Sequence, residues 1–318
     1  MASAAQGVAS VLSPLSGRDY LSSEDFSAAQ TMALLELARQ LKSGDRRIDL
    51  GNRVLGLIFT KASTRTRVSF QVAMARLGGQ TVDLNPQVTQ LGRGEPLEDT
   101  ARVLSRFCDA LAVRTFAQQE LVDYAHWASI PVINALTDLE HPCQALADYL
   151  TMLEAFGDLQ GQTLAYVGDG NNVAHSLMVC GALLGVNVRI GCPEGFEPLP
   201  GVLDQARALA VAGAEITVTS DPATAVRGAQ ALYTDVWASM GQEQEQAERE
   251  RAFKGFCLDE ALVAEADPAA IVLHCLPAHR GEEISAAVME GASSRIFDQA
   301  ENRLHAQQAL LAALMGGL

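Results

Sequence analysis

Positive charge is scarce in this chain: 23 lysines and arginines stand against 38 aspartates and glutamates, a formal net charge of −15 over 318 residues. Proteins that bind nucleic acid draw most of their affinity from basic side chains that neutralise phosphates, so this balance argues against that class. An anionic ligand has to be held by a local basic cluster working against the field of the whole molecule. Cysteine is also sparse and unpatterned. The six cysteines, at 108, 143, 180, 192, 257 and 275, form no C-x-x-C pair and lie in apolar segments. Neither a zinc knuckle nor a disulfide framework is suggested, and a reducing cytoplasm is the simplest setting. No apolar run reaches the roughly 18 residues of a membrane helix. The start, Met1-Ala-Ser-Ala-Ala-Gln-Gly7, lacks a basic stretch followed by an apolar core, so no export signal is expected. The expected location is cytoplasmic, with no membrane and no nucleic acid as partner.

Hydrophobic residues make up 48% of the chain and charged residues 19%, which fits a compact enzyme rather than a disordered tail, and the length suggests two domains. Strand-like and helix-like segments alternate throughout. A helix is predicted near Ser27 to Lys42, opened by a capping box of Ser27 and Gln30. A buried strand follows at Val54 to Phe59, then a helix at Val68 to Leu77, a polar loop at Asn85 to Pro96 and a helix near Leu97 to Phe107. Further strands are read at Ala110 to Arg114 and Pro131 to Asn134, and a long helix at Gln144 to Phe156, ended by a Gly157–Gly161 turn that suggests a domain junction. In the second half, strands at Thr163 to Val167, Val186 to Gly191, Glu215 to Thr219, Ala231 to Thr234 and Ile271 to His274 alternate with helices. The expected fold class is therefore α/β: two doubly wound parallel-sheet domains with helices on both faces, residues 1–150 and 151–300, plus an Ala- and Leu-rich C-terminal helix, 301–318, packing back on the first domain. Ligand groups should lie beyond the carboxyl ends of the strands.

The densest chemistry is Phe59-Thr-Lys-Ala-Ser63-Thr64-Arg65-Thr66-Arg67, which places hydroxyls and guanidiniums between a strand and the start of a helix. The first N–H groups of a helix lack intrahelical partners and the macrodipole favours negative charge, so this is a phosphate site in outline. The same residues also suit an ordinary Ser/Thr cap with solvated arginines. Arg114 closes a strand, and His141-Pro-Cys-Gln144 stands where the long helix begins. A neutral histidine can donate a hydrogen bond to a carbonyl oxygen and an arginine can stabilise the oxyanion formed on attack, although a histidine before proline also serves as a plain helix cap.

Three strand ends in the second half carry further candidates. Gly168-Asp-Gly170-Asn171-Asn172 starts like a dinucleotide fingerprint but has Val173 where the third glycine belongs. Its asparagines can meet a carboxylate or an amine, or merely cap the next helix. Asp235-Val-Trp-Ala-Ser239-Met240-Gly241 offers a carboxylate and a hydroxyl suited to an α-ammonium group, and equally describes a solvated turn before a charged helix. In His274-Cys275-Leu276-Pro277 the thiol could act as nucleophile, as hydrogen-bonding group or as a small buried hydrophobe, and a polarising role is preferred to covalent catalysis.

Together these segments closely resemble the ornithine carbamoyltransferases, from about Asp49 through Glu301-Asn302-Arg303. Each motif is moderately specific, and their order makes the joint signal strong. The resemblance implies a first domain that binds carbamoyl phosphate through Ser63, Thr64, Arg65, Thr66, Arg114, His141, Gln144, Cys275, Leu276 and Arg303, with Gln90 reaching a phosphate site at the subunit boundary. It implies a second domain that holds L-ornithine through Asn172, Asp235, Ser239 and Met240, the last through its backbone. Arg114, His141, Cys275 and Asp235 become the catalytic candidates, no metal or organic cofactor is needed, and the chain is expected to form a homotrimer. Competing expectations are a carbamoyltransferase for another amine (putrescine or an acylated ornithine), a noncatalytic carbamoyl phosphate sensor, and a nicotinamide-dependent dehydrogenase, which the broken glycine pattern disfavours.

Overall fold

The computed structural model describes residues 2–85, 94–238 and 246–318. The chain divides into two compact units, Met1–Leu150 with Arg303–Leu318, and Thr151–Asn302. The division falls at Leu150/Thr151, inside the continuous helix Pro142–Phe156.

Unit 1 is built on a parallel sheet of β1 (Val54–Phe59), β2 (Gln80–Leu84), β3 (Ala110–Arg114) and β4 (Val132–Leu136) in the order β2-β1-β3-β4. The central strands β1 and β3 are apolar and almost wholly buried, as strands covered on both faces must be. Strand β2, Gln-Thr-Val-Asp-Leu, is an edge strand with mostly exposed positions, so it carries no apolar run and escapes recognition in the sequence. Helices α3 (Arg65–Arg76), α4 (Leu97–Leu104) and α5 (Gln118–Trp127) make the crossovers. Helix α2 (Ala28–Ser43) opens with the expected box: Gln30 N–H donates to Ser27 Oγ at 3.3 Å and Ser27 N–H to Gln30 Oε1 at 2.9 Å. Helix α6 (Pro142–Phe156) follows β4. The final helix, α13 (Ile296–Leu314), starts five residues before the expected 301, and its last turns from Ala309 to Leu314 are buried. Gly17 N–H closes on the Leu314 carbonyl at 2.9 Å, tying the N-terminal segment to the end of α13 within unit 1.

Unit 2 holds a second parallel sheet, ordered β7-β6-β5-β8-β9, from β5 (Thr163–Val167), β6 (Asn187–Gly191), β7 (Ile216–Thr219), β8 (Ala231–Thr234) and β9 (Ile271–His274). Helix α7 (Asn172–Leu184) is buried from Val173 to Leu184, which explains why it is apolar all round instead of striped. Helix α10 (Gln246–Ala252) and the residues after it lead into a core that joins Val167, Leu232, Trp237, Phe253 and Val272. In each sheet the chain reverses its direction of winding once, between β1 and β3 and between β5 and β8. Such reversal points open a crevice at the carboxyl ends of the strands, and Arg114 in unit 1 and Asp235 and Cys275 in unit 2 stand at or just past such ends.

Candidate active site

In unit 1, β1 ends at Phe59, which lies beside Arg114 in the β1–β3 register. Thr60 fixes the backbone at that point, donating to the Arg114 carbonyl from its N–H at 2.9 Å and from its hydroxyl at 3.1 Å. The β3–β4 pairing slips just there, Val113 facing Asn134 but Arg114 facing Leu136, a local irregularity of the kind that re-aims a side chain. Arg114 is buried. Helix α3 then begins at Arg65, three residues earlier than the apolar period suggested, and Thr64 makes no side-chain cap bond to it. The plain capping reading therefore fails for Thr64. Ser63 is half-buried, Thr64 and Arg65 are exposed and Thr66 is buried. The second guanidinium of the motif is structural, since Arg67 pairs with Asp83 of β2 and lies 5.1 Å from the Phe59 ring centre.

His141 precedes α6 on a loop that is pinned from both sides. Thr137 Oγ1 accepts from Glu140 N–H at 3.2 Å, and the buried Glu140 carboxylate accepts from Ser22 Oγ, Ser23 Oγ and Ser23 N–H at 2.5, 2.9 and 3.1 Å. From the first turn of α6, Gln144 Nε2 donates to Asp148 Oδ1 at 2.7 Å while Gln144 Oε1 accepts from Arg303 Nη1. Arg303 Nη2 in turn donates to Thr66 Oγ1 at 2.9 Å. This relay places Thr66, Gln144 and Arg303 together from three helices. Burial, then the positive charges of Arg303 and Arg114, push His141 well below its ordinary value and keep the ring neutral. The neighbouring Cys143 has no reactive role: its thiol lies against the Asn134 carbonyl at 3.3 Å, and burial raises it to about 12.

In unit 2 the Gly168–Asn172 turn is shaped by protein contacts. A Cβ on Gly170 would lie 2.2 Å from Pro198 N and 2.6 Å from the Phe196 carbonyl oxygen, and Gly170 N–H donates to that oxygen at 2.8 Å. The glycine is needed for close approach of two backbone segments, so its presence gives no support to a dinucleotide site. Asn171 does the capping, accepting from Val173 and Ala174 N–H at 2.9 and 3.2 Å, while Asn172 is the first residue of α7. The amide of Asn171 also donates to Asp235 Oδ2 at 3.0 Å. Asp235, just past β8, is buried, and its Oδ1 accepts from Val236 N–H at 2.8 Å and from Cys275 Sγ at 2.9 Å. All these donors are neutral, and no cation among the described residues pairs with this carboxylate.

Cys275 owes its position to the turn that follows β9. Leu276 has φ +62°, a left-handed conformation that costs a branched-side-chain residue on the order of 1–3 kcal/mol, and its N–H is caught by His274 Nδ1 at 2.9 Å. Since Nδ1 accepts, the ring proton sits on Nε2 and faces Glu283 Oε1 at 3.0 Å. Asp235, His274 and Cys275 could together offer ligands to a metal, their donor atoms lying within 4.8 Å of one another. Both histidine nitrogens and both carboxylate oxygens are already committed to the bonds above, so a metal would have to displace them.

The structure thus brings Thr66, Arg114, His141, Gln144 and Arg303 together in unit 1, and Asp235 and Cys275 together in unit 2, with Asn172 next to the residue that holds Asp235. Gln90, Ser239 and Met240 lie outside the described residues. Sequence reasoning missed Glu140 and Asp148, and gave Asn171 its capping role without its bond to Asp235. Glu140 and Asp148 are carboxylates set in otherwise buried segments, which is a readable sign of a bound partner.

Residues 18–154 match the aspartate/ornithine carbamoyltransferase carbamoyl-P binding domain, and residues 160–314 match the Asp/Orn binding domain of the same family. The chain belongs to the aspartate/ornithine carbamoyltransferase family. It is 84% identical, over 318 residues and the full length of both chains, to a protein of Parasynechococcus marenigrum (strain WH8102) named ornithine carbamoyltransferase. Among solved structures, the ornithine carbamoyltransferase of Gloeobacter violaceus is 57% identical with a TM-score of 0.86, the match covering 94% of this chain and 98% of that one. That of Pyrococcus furiosus is 49% identical with a TM-score of 0.92, covering 96% and 99%.

Proposed function

We propose that this chain is an ornithine carbamoyltransferase, moving the carbamoyl group of carbamoyl phosphate to the δ-amine of L-ornithine to give L-citrulline and phosphate. The observation that carries the reading is the bonded cluster of Thr66, Gln144 and Arg303 in unit 1, with Arg114 and His141 buried, inside an acidic protein. Carbamoyl phosphate is a small dianion with an amide-like carbonyl. Ser63, Thr64, Arg65 and the first N–H groups of α3 take the phosphate, with Arg303 and Thr66 beside it. Thr66, Arg114 and His141 donate to the carbonyl oxygen, where negative charge grows as nitrogen attacks, and each preorganised donor lowers such a barrier by roughly 3–4 kcal/mol. Gln144 orients Arg303.

On the acceptor side Asp235 is a buried anion surrounded by neutral donors, which suits it to an ammonium-bearing amino acid, and Asn172, Ser239 and Met240 complete the recognition. The δ-amine, with a free pKa of about 10.4 by analogy with lysine, must shed a proton before it attacks. Asp235 and Cys275 position it. The first proton leaves to solvent; the new N–C bond then forms as the C–O bond to phosphate breaks, the departing phosphate takes one of the nitrogen's two protons, and the other stays as the N–H of citrulline. The reaction needs no group beyond the two substrates and these side chains.

We also infer a homotrimer in the cytoplasm, with Gln90 serving a neighbouring subunit's site. The exposed Phe107, Phe116, Val68 and Val82 of unit 1 support an assembly, and sedimentation showing a lone chain would refute it. No helix of the described residues is long and apolar enough to cross a membrane. The activity itself is tested by steady-state turnover of carbamoyl phosphate with a panel of amines. L-Ornithine is expected to outperform putrescine and N-acetylornithine by roughly a hundredfold or more in kcat/KM, since N-acetylornithine lacks the ammonium that the buried Asp235 suits and putrescine lacks the carboxylate assigned to Asn172. Equal rates on putrescine would overturn the acceptor assignment.

A further inference from the structure

The geometry points to Arg249 as a positioning residue for the acceptor: it closes a ring of bonds around Asp235 and thereby sets the affinity for ornithine. The inference rests on the ornithine reading above.

Arg249, on α10, is buried, and its Nη1 donates both to Asp169 Oδ2 at 2.8 Å and to the Trp237 carbonyl at 2.7 Å. Its guanidinium carbon lies 5.1 Å from the Phe196 ring centre, and Trp237 stacks on Phe253 at 5.6 Å. Asp169 stands two residues before Asn171, whose amide donates to Asp235, and Trp237 stands two residues after Asp235. Following the bonds gives a closed circuit: Asp235 to Asn171, along the turn to Asp169, across to Arg249, on to Trp237 and back along the chain to Asp235. Each side of the carboxylate is therefore held by the same guanidinium.

The circuit also sorts the charges. Two buried carboxylates, Asp169 and Asp235, are joined through one short turn, since Asn171, two residues after Asp169, donates to Asp235. Arg249 neutralises Asp169, while Asp235 receives only neutral donors from Asn171, Val236 and Cys275. A buried ion pair gives little net stability over an apolar pair of the same volume, so its use here is specificity: one carboxylate is silenced and the other is left for an incoming ammonium. Without Arg249, Asp169 loses its cation and the turn bearing Asn171 loses an anchor.

The test is a kinetic comparison of wild type, R249M, R249K and D169N, with melting temperature measured alongside. R249M and D169N are expected to raise the ornithine KM by about tenfold to a hundredfold, the scale on which a small misplacement of a binding group acts. The carbamoyl phosphate KM should stay within about twofold and kcat at saturating ornithine within about threefold, because the transition-state donors of unit 1 are untouched. R249K, which keeps the charge, should recover most of the loss. Wild-type ornithine KM in both R249M and D169N would overturn the inference, and so would a parallel rise in both substrates' KM with no rescue by lysine. Wild-type turnover in the same assay reports separately on the activity: no citrulline from the wild type would defeat the ornithine reading, whereas normal wild-type turnover with unchanged variants would defeat the role of Arg249 alone.

Discussion

Replacing His141 by alanine is expected to lower kcat for citrulline formation by about 10²–10³ while the KM for carbamoyl phosphate moves little. The size follows from the role of the ring. Burial penalises a protonated imidazole most, and the charges of Arg303 and Arg114 add to the penalty. The ring is thus a neutral donor across the neutral pH range, and a neutral donor aimed at a carbonyl gains most when that oxygen turns anionic. Ground-state binding depends chiefly on the phosphate contacts, which the substitution leaves in place. The Glu140 anchor on Ser22 and Ser23 holds the loop independently of the imidazole, so the variant should stay folded. Paired measurements of kcat and KM check this, and a variant with wild-type kcat would remove His141 from the chemistry.

The second large effect is expected at Asp235. Asp235→Asn preserves shape and can still accept from Val236 N–H, but removes the one negative charge that neutral donors surround. A buried ammonium deprived of its counter-ion loses about 3–5 kcal/mol, so the ornithine KM should rise by roughly two to four orders of magnitude. Carbamoyl phosphate binding, which draws on unit 1, should be unaffected. Substrate selection should also change, with the preference for L-ornithine over uncharged-headgroup amines shrinking toward unity. Calorimetric titration of ornithine in the presence of phosphate reads the same loss without relying on turnover, and unchanged affinity there would show that the ammonium is recognised elsewhere.

Much of this was legible in the residues alone, for identifiable reasons. Strands β1, β3, β5, β8 and β9 are central or doubly covered, so each shows as an apolar run with sharp ends, and the bounds read from sequence coincide with those observed. The Ser27 and Gln30 box was readable because capping is local chemistry. Edge strand β2 was not, because nothing apolar marks a strand that faces solvent. Helix α3 starts early because its first turn, Arg65-Thr66-Arg67, is polar, with Arg67 paired to Asp83 and Thr66 accepting from Arg303, so the hydrophobic period begins only inside the helix. The partners of the site were legible in part. Side chains at strand ends announce themselves by breaking an apolar pattern, whereas Asn171 holding Asp235, or Arg249 bridging Asp169 and Trp237, depends on contacts across 64 and 80 residues of sequence. Of the glycines in Gly168-Asp-Gly170, the pattern alone could not separate a phosphate cradle from two backbones in contact, which the Pro198 approach now decides.

The claim beneath the whole account is that a cationic corner of unit 1 captures a dianion that the rest of the molecule repels. Calorimetric titration of carbamoyl phosphate into wild type and Arg65→Ala, without ornithine, tests it most directly. Arg65 is exposed at the first turn of α3, so its loss should leave the melting temperature unchanged while weakening binding by about tenfold to a hundredfold, the value of one charge-assisted contact. Binding should also fall as salt is added. Full-strength, salt-insensitive binding by the alanine variant would contradict the account.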